Sequence, residues 1–279
     1  MSPDVVLVDG VPTPRVSALD RGLHYGDGVF ETIACRKGRA RFLSLHLQRL
    51  LWGCERLGIS PPPMEALRAE IEALAGREAA GLIKLIVTRG EAIARGYAPH
   101  GDERSTRVLL RYPFEDVSSH SREGVRVRVG QLKLAENPAL AGIKHLNRLE
   151  QVLARAESGS ADALETLLFS SSGRLISGTM SNVFLVRAGR VMTPRLDACG
   201  VAGIMRAVVL REAARAQREI EERALSVQDL AAAEEIFLTN ARIGIWPVRA
   251  LEGRALPVGG TTRALQQLIE PLLENASDG

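Results

Sequence analysis

Lys144 is the residue of this sequence whose setting best suits amine chemistry. It lies between the apolar residues Ile143 and Leu146, and it is one of only four lysines in the 279-residue chain. Apolar neighbours remove water from an ammonium, which lowers its pKa and favours the neutral, nucleophilic amine. The alternative is a lysine whose stem lies on the core while its ammonium reaches water. The local pattern by itself favours this alternative.

An amphipathic helix is predicted directly after Lys144. Asn147 and Glu150 have the spacing of a capping box, so the helix is expected to start just after Asn147 and to leave Lys144 outside it. Apolar residues then recur at helical spacing, which predicts a face packed on the core. The residues of this predicted stripe are Leu146, Leu149, Leu153 and Ala156.

Two further segments could bind an anion. The glycine-bearing turn at 200–203 leads into a predicted helix at 204–217, and free backbone N–H groups at a helix N-terminus form a ready anion site. Arg49 lies in a predicted helix at 44–58, on the side opposite its apolar stripe. It is either a solvated arginine or an anion ligand.

Composition excludes several classes of protein. Hydrophobic residues make up 46% of the chain, charged residues 25%, and the net charge is +3 with arginines scattered among acids, which argues against nucleic acid as a partner. Three widely spaced cysteines and the absence of an HExxH pair indicate neither a disulfide framework nor a metal site. No signal peptide and no apolar stretch of membrane-spanning length is recognised, so a cytoplasmic location is expected.

Strand and helix patterns divide the chain into two α/β halves. Apolar strands are predicted at 29–36, 82–88 and 106–112 in the first half, with helices between them. The polar run around 116–120 is the best candidate for a linker. We therefore predict domains at 1–115 and 121–279, joined by this linker.

The motifs together resemble the fold-type IV pyridoxal-phosphate enzymes, the group that holds branched-chain and D-amino-acid aminotransferases and the aminodeoxychorismate lyases. The resemblance covers nearly the whole chain, and the run Lys-His-Leu-Asn-Arg-Leu-Glu-Gln from Lys144 is similar to the lyase branch in particular. The other matching stretches are 20–32, 46–50, 95–97, 181–184, 193–194, 200–206 and 238–241. The resemblance implies an N-terminal α/β sandwich domain, a C-terminal barrel-like α/β domain with the cofactor between them, and a homodimer.

The resemblance also assigns roles to residues. Lys144 matches the lysine that holds pyridoxal 5'-phosphate covalently and acts as the base, and Arg49 matches the arginine that grips the cofactor phosphate. A helix N-terminus and a guanidinium both suit a phosphate dianion. The remaining residues implied for cofactor binding are Ser177, Asn182, Ile204, Met205, Thr239, Asn240 and Ala241.

Ser177 departs from the pattern of the group, which carries a glutamate at this position facing the pyridine nitrogen. A carboxylate would keep that nitrogen protonated, whereas a hydroxyl can only form a hydrogen bond with it, so the ring would withdraw electrons more weakly. In transamination, the cofactor ring must hold the electron pair of the broken C–H bond until a proton returns to the cofactor. In β-elimination the leaving group carries these electrons away. Ser177 therefore favours a lyase over an aminotransferase, and the competing explanation is a weakened or non-catalytic relative.

The function implied is a carbon–oxygen lyase of folate biosynthesis that converts 4-amino-4-deoxychorismate to p-aminobenzoate and pyruvate. The alternatives are a D-amino-acid or branched-chain aminotransferase and a cofactor-binding relative without catalysis. Because the substrate is a small molecule with two carboxylates, Tyr25, Arg95 and Tyr97 are candidates for binding it. Each could equally be a packing or solvated residue.

Overall fold

The chain folds into two compact units, seen in a computed structural model that describes residues 2–92, 94–114, 118–157 and 163–275. The first unit comprises residues 1–115, 143–147 and 274–279, and the second comprises residues 116–142 and 148–273. The segment that carries Lys144 thus groups with the first unit, whereas the sequence-based boundaries placed it in the second. Of the predicted linker, residues 116 and 117 lie outside the described residues, and residues 118–120 begin a helix.

The first unit is built on a six-stranded antiparallel sheet with the strand order β2-β1-β6-β5-β3-β4. Its strands are β1 (Val5–Val8), β2 (Val11–Pro12), β3 (Gly28–Arg36), β4 (Arg39–Ala40), β5 (Ala80–Thr88) and β6 (Thr106–Pro113). Its helices are α1 (Arg21–Tyr25), α2 (Leu43–Leu57) and α3 (Met64–Ala75).

The two faces of this sheet differ in burial because side chains alternate along a strand. On β3, Val29, Glu31 and Ile33 are buried, and Val29 and Ile33 share one apolar core with residues of α2 and α3. Phe30 and Thr32 point to the opposite face and are half-buried. The helices therefore cover one face of the sheet.

The second unit contains a longer sheet with the order β12-β11-β10-β13-β14-β7-β8-β9, to which β15 adds beside β14. Its strands are β7 (Val125–Leu134), β8 (Glu165–Ser170), β9 (Leu175–Gly178), β10 (Asn182–Arg187), β11 (Arg190–Pro194), β12 (Ile220–Arg223), β13 (Glu235–Asn240), β14 (Gly244–Leu251) and β15 (Arg254–Ala255). Its helices are α4 (Ser118–Glu123), α5 (Leu149–Ala156), α6 (Ile204–Arg215), α7 (Val227–Ala231) and α8 (Gly260–Asn275).

The longer sheet curls until its two ends meet. Leu175 at one end of the strand order forms an isolated bridge with Leu225, two residues after β12 at the other end, through a 2.8 Å hydrogen bond from its backbone N–H. A strongly twisted sheet that bonds to itself in this way loses its exposed edges. The prediction of a barrel-like second domain within a two-domain α/β fold is confirmed.

The predicted helix after Lys144 is present and leaves Lys144 outside it, but the predicted capping box and buried face of α5 are wrong. The helix begins at Leu149, because the Asn147 amide donates instead to the carbonyl of Gly26 at 3.2 Å and the Glu150 carboxylate accepts from the backbone N–H of Ala135 at 2.7 Å. Leu149 and Leu153 are 76% and 57% exposed. The apolar side of α5 therefore does not pack on the core of this chain.

Candidate active site

Lys144 is positioned by backbone pairing with β3. The N–H of Phe30 donates to the carbonyl of Lys144, and the N–H of Leu146 donates to the carbonyl of Gly28, both at 2.9 Å. The segment thus extends the sheet at the start of β3. The Lys144 ammonium lies 4.1 Å from the centroid of the Phe30 ring, within the range of a cation–π contact. This backbone pairing fixes the position of the Lys144 backbone, although Lys144 lies outside a helix.

Arg49 is held by a buried carboxylate. Its Nε donates to Oε1 of Glu31 at 2.7 Å, and its Nη2 forms a short ion pair with Oε2. The same Oε2 lies 2.7 Å from Nδ1 of His46, whose side chain, like that of Glu31, is 1% exposed. Glu31 therefore fixes both the guanidinium and the imidazole, and it presents Arg49 in a single orientation.

The charge state of this cluster follows from the pKa shifts. Burial raises the pKa of Glu31, but the charges and hydrogen bonds of Arg49 and His46 outweigh burial and lower it to about 2. The pKa of His46 is lowered, mainly by burial and also by the charges of Arg49 and Lys144. Glu31 is thus ionised and His46 neutral, so the proton on Nδ1 points to the carboxylate. Nε2 of His46 is buried and has no hydrogen-bond partner among the described residues.

The predicted substrate residues of the first unit cluster around Arg21. This buried arginine donates to the carbonyls of Gly96 at 3.2 Å and Tyr97 at 2.7 Å and pairs with Asp27 at 2.9 Å. Its guanidinium lies 5.0 Å from the ring of Tyr25, whose centroid is 5.3 Å from that of Tyr97. Tyr97 is 83% exposed and Arg95 is exposed. The loop is therefore anchored by its backbone, while its side chains stay available.

In the second unit, Ser177 precedes a turn that is fixed by a buried carboxylate. Ser177 is 8% exposed and pairs with Leu168 across the sheet. After it, Glu165, which is fully buried, accepts hydrogen bonds from the turn at 179–181. The donors are the N–H and hydroxyl of Thr179, the N–H of Met180 at 3.1 Å and the hydroxyl of Ser181 at 2.8 Å. This carboxylate holds Ser177 and Asn182 at fixed positions on either side of the turn.

Asn182 connects the sheet to the start of α6. Its amide donates to the carbonyl of Val201 at 2.9 Å. A Cβ at Gly203 would collide with the amide oxygen of Asn182 and displace that side chain, so glycine at this position allows Asn182 to lie against the start of α6. Gly203 is the N-cap of α6, and within the described part of the chain no side-chain hydrogen bond caps that end. The first N–H groups of α6, at Ile204 and Met205, therefore retain the partial positive charge of a helix N-terminus.

Thr239 lies directly across from Asn182 in the β10–β13 ladder. Its hydroxyl is buried and has no hydrogen-bond partner among the described residues. The next residue, Asn240, accepts the N–H groups of Arg242 at 2.9 Å and Ile243 at 3.0 Å and donates to Met180 at 3.1 Å, which shapes the turn that holds Ala241. The start of α6, the Asn182 side chain and the unsatisfied Thr239 hydroxyl thus lie together. Such a group of hydrogen-bond donors suits an anion with several oxygen atoms.

Sequence reasoning gave no role to Glu31, His46 or Arg21. Glu31 could have been found, since it occupies a buried position in the alternation of an otherwise apolar strand, where an unpaired carboxylate is costly. His46 and Arg49 are three residues apart and share one helix face, which points to a common partner. The sequence gives no such signal that Arg21 anchors the loop, because its partners in the loop are backbone carbonyls 75 and 76 residues away.

The two-domain α/β architecture is that of the fold-type IV enzymes. An aminotransferase of Mycobacterium tuberculosis, described as hypothetical and solved in a PLP-bound form, superposes with a TM-score of 0.85 at 23% identity, over 98% of this chain and 100% of its own. This similarity concerns the fold.

The family follows from the sequence. The model of the amino-transferase class IV family matches residues 28–251, and the chain belongs to this family. An aminodeoxychorismate lyase of Vibrio harveyi is 33% identical over 265 residues, which cover 93% of this chain and 97% of the relative. The crystal structure of 4-amino-4-deoxychorismate lyase from Pseudomonas aeruginosa superposes with a TM-score of 0.91 at 46% identity, over 97% of this chain and 100% of its own. The family resemblance seen in the sequence is confirmed.

Proposed function

We propose that this protein is a pyridoxal-phosphate-dependent lyase that converts 4-amino-4-deoxychorismate to p-aminobenzoate and pyruvate. The observation that carries the proposal is the 46% identity to the Pseudomonas aeruginosa lyase over nearly the whole chain. A D-alanine aminotransferase of Bacillus licheniformis, which covers a similar share of the chain, is only 26% identical. A putative branched-chain-amino-acid aminotransferase of Methanocaldococcus jannaschii, 31% identical over 91% of this chain, is also less similar to it than the Pseudomonas aeruginosa lyase is.

The residues present fit the cofactor. The uncapped start of α6 and the unsatisfied Thr239 hydroxyl suit a phosphate, which accepts hydrogen bonds through all its oxygens. We assign the phosphate to the N–H groups of Ile204 and Met205, to residues 239–241 and to the Arg49 guanidinium, with Asn182 supporting the helix start. Ser177 is assigned to the pyridine nitrogen.

Lys144 is the proposed base. The cofactor, when bound, supplies a carbonyl that takes up the substrate amine and a ring that withdraws electrons from the neighbouring carbon. The Lys144 amine removes the proton from the carbon that bears nitrogen. The electron pair of that C–H bond completes the aromatic ring while the C–O bond breaks, and the enolpyruvyl group takes up a proton and leaves as pyruvate. No oxidant or reductant is needed.

The test is incubation of the cofactor-loaded protein with 4-amino-4-deoxychorismate. We expect p-aminobenzoate and pyruvate to form in equal amounts, with no keto acid from added D-alanine or branched-chain amino acids. Formation of pyruvate from D-alanine, or of a branched-chain keto acid, in separate incubations without 4-amino-4-deoxychorismate would instead identify an aminotransferase. A yellow, cofactor-loaded protein that turns over neither class of substrate would identify a non-catalytic relative.

Ser177→Glu is expected to leave lyase turnover the same or lower it, by up to about tenfold. A carboxylate would keep the ring nitrogen protonated, but elimination to an aromatic product does not need that extra electron withdrawal. Turnover of the variant is measured with 4-amino-4-deoxychorismate and, in parallel, with D-alanine. Ser177→Ala is the matched control. A steep rise in lyase turnover without any transamination would contradict the argument.

Tyr25, Arg95 and Tyr97 are assigned to the substrate. The rings of Tyr25 and Tyr97 lie side by side, and the loop that carries Arg95 is tied to Arg21. A guanidinium on an anchored loop can bind a carboxylate at a low entropic cost. The substrate supplies two carboxylates.

A homodimer is the proposed assembly. Leu149, Val152 and Leu153 project from α5 with 76%, 59% and 57% of their surfaces exposed, an apolar cluster typical of a protein interface. Leu153→Glu is expected to shift the protein toward the monomer in sedimentation equilibrium. Leu23→Glu, at another exposed leucine, is the control. A wild-type monomer at micromolar concentration would contradict this assembly.

A further inference from the structure

Lys84 lies on the sheet face that carries Phe30, whose ring the Lys144 ammonium approaches. In the register of the first sheet it pairs with Thr32 of β3 and with Leu110 of β6, and Phe30 pairs with its near neighbour Ile86. Alternation along the strands puts these side chains on the face opposite α2 and α3. The Lys84 ammonium is 5.7 Å from the centroid of the same Phe30 ring that Lys144 approaches to 4.1 Å. Two of the four lysines of the chain thus share one aromatic ring.

Apart from Thr32, the setting of Lys84 on this sheet face is apolar. Leu82, Ile86 and Leu110 are its neighbours on this face, and Lys84 itself is half-buried. Within the described part of the chain, no Asp or Glu side chain forms an ion pair with it, whereas most of the buried arginines have such a partner. A half-buried ammonium among apolar side chains is costly unless an anion accompanies it.

We propose that Lys84 is a substrate-binding residue whose ammonium pairs with a carboxylate of the substrate remote from the reacting carbon. The inference rests on the proposed function. In an amino acid, the carboxylate is attached to the carbon that bears nitrogen. In 4-amino-4-deoxychorismate the carbon that bears nitrogen carries no carboxylate. Both carboxylates lie further away, one on the substrate ring and one on the enolpyruvyl group. The Lys84 ammonium lies beside the same Phe30 ring as Lys144 but apart from Lys144. It therefore suits a substrate whose carboxylates are remote from the reacting carbon, and it contributes to specificity for that substrate.

The chain offers a matched control for a lysine that only covers an aromatic ring. Lys133, on β7 of the second unit, places its ammonium 5.1 Å from the centroid of Phe169. If Lys84 merely packs its stem on Phe30 and extends to water, Lys84→Met and Lys133→Met should behave alike. If Lys84 binds substrate, only its own variants should change substrate affinity.

The experiment compares Lys84→Met, Lys84→Arg and Lys133→Met as cofactor-loaded proteins. We expect Lys84→Met to raise the KM for 4-amino-4-deoxychorismate by about 10- to 100-fold, the effect of losing a charged hydrogen bond, while kcat falls less. Lys84→Arg should restore most of the affinity because it keeps the charge. The cofactor absorbance and its dissociation constant should stay at wild-type values. A KM within about threefold of wild type, equal losses in Lys84→Arg and Lys84→Met, or loss of cofactor would overturn the proposal.

Product analogues separate this proposal from the proposed function. Wild-type protein that forms no p-aminobenzoate would contradict the function, yet its affinities for p-aminobenzoate and for the neutral 4-aminobenzamide still test Lys84. We expect wild type to prefer the acid and Lys84→Met to lose that preference if the ring carboxylate is the partner. Weaker inhibition by pyruvate in Lys84→Met would instead assign the enolpyruvyl carboxylate. Unchanged affinity for both acids would overturn the proposal.

Discussion

Lys144→Ala is expected to abolish lyase turnover and the visible absorbance of the lysine-bound cofactor together. The proposed function assigns two tasks to the Lys144 amine: to hold the cofactor covalently and to move the proton at the carbon that bears nitrogen. Loss of a covalent anchor and general base costs at least about 10⁴-fold in rate. Absorbance spectra and p-aminobenzoate formation are measured on the same samples.

Two controls separate a chemical role of Lys144 from a structural one. Lys37→Ala removes an exposed lysine in the turn between β3 and β4 and should leave both readouts unchanged. Added methylamine should restore part of the turnover of Lys144→Ala, since a small amine can occupy the space of the missing side chain. If Lys144→Ala kept both absorbance and turnover, this lysine would have no part in the site.

Glu31→Gln is expected to destabilise the first unit by about 3 kcal/mol. The carboxylate neutralises Arg49 and orients His46 in a buried setting, and breaking a buried pair by removing one partner typically costs this much. The pKa of Glu31, which falls from 4.5 to about 2, corresponds to a similar free energy of about 3 kcal/mol. Hydrogen–deuterium exchange of α2 peptides in increasing urea measures the change.

The pKa shifts of Glu31 and His46 predict how the stability of the protein changes with pH. A carboxylate whose pKa is lower in the folded state stabilises the protein above its unfolded pKa of 4.5, and this stabilisation is lost as the pH falls toward 2. His46, whose pKa is lowered from 6.5 by burial, also loses stabilisation on acidification, starting near its unfolded value. The free energy of unfolding of the wild-type protein should therefore decrease steadily as the pH falls below 6.5. In Glu31→Gln, this free energy should change less steeply with pH below 4.5.

A double variant shows whether charge or packing is responsible. In Glu31→Gln/Arg49→Met the guanidinium that Glu31 neutralises is removed as well, so much of the lost stability should return, although the cofactor phosphate would lose its proposed arginine. Glu70→Gln is the control, because that carboxylate pairs with Arg107 at 2.6 Å in a more exposed setting. Equal stability of Glu31→Gln and wild type would show that the cluster contributes nothing.

Local sequence patterns determined most of the strands and helices and the outline of the site. Apolar runs predicted β3, β5 and β6, and the glycine turn before residue 204 predicted the helix start of α6 with its free N–H groups. The stretch around Lys144, with the order of the other motifs, identified the family, which is confirmed. These features depend on neighbours within a few residues, so the sequence expresses them directly. The roles assigned to the site residues stay predictions.

Tertiary structure decided which faces are covered and where polar side chains find partners. The leucines of α5 have helical spacing but face outward, and Asn147 bonds to Gly26 rather than capping the helix. Glu31 meets a helix 15 and 18 residues further along the chain, and Lys84 joins Phe30 only through strand pairing. Periodicity of apolar residues shows which residues share one face of a helix or strand, but the residues that pack against this face are distant in sequence. Only the folded chain brings those residues together.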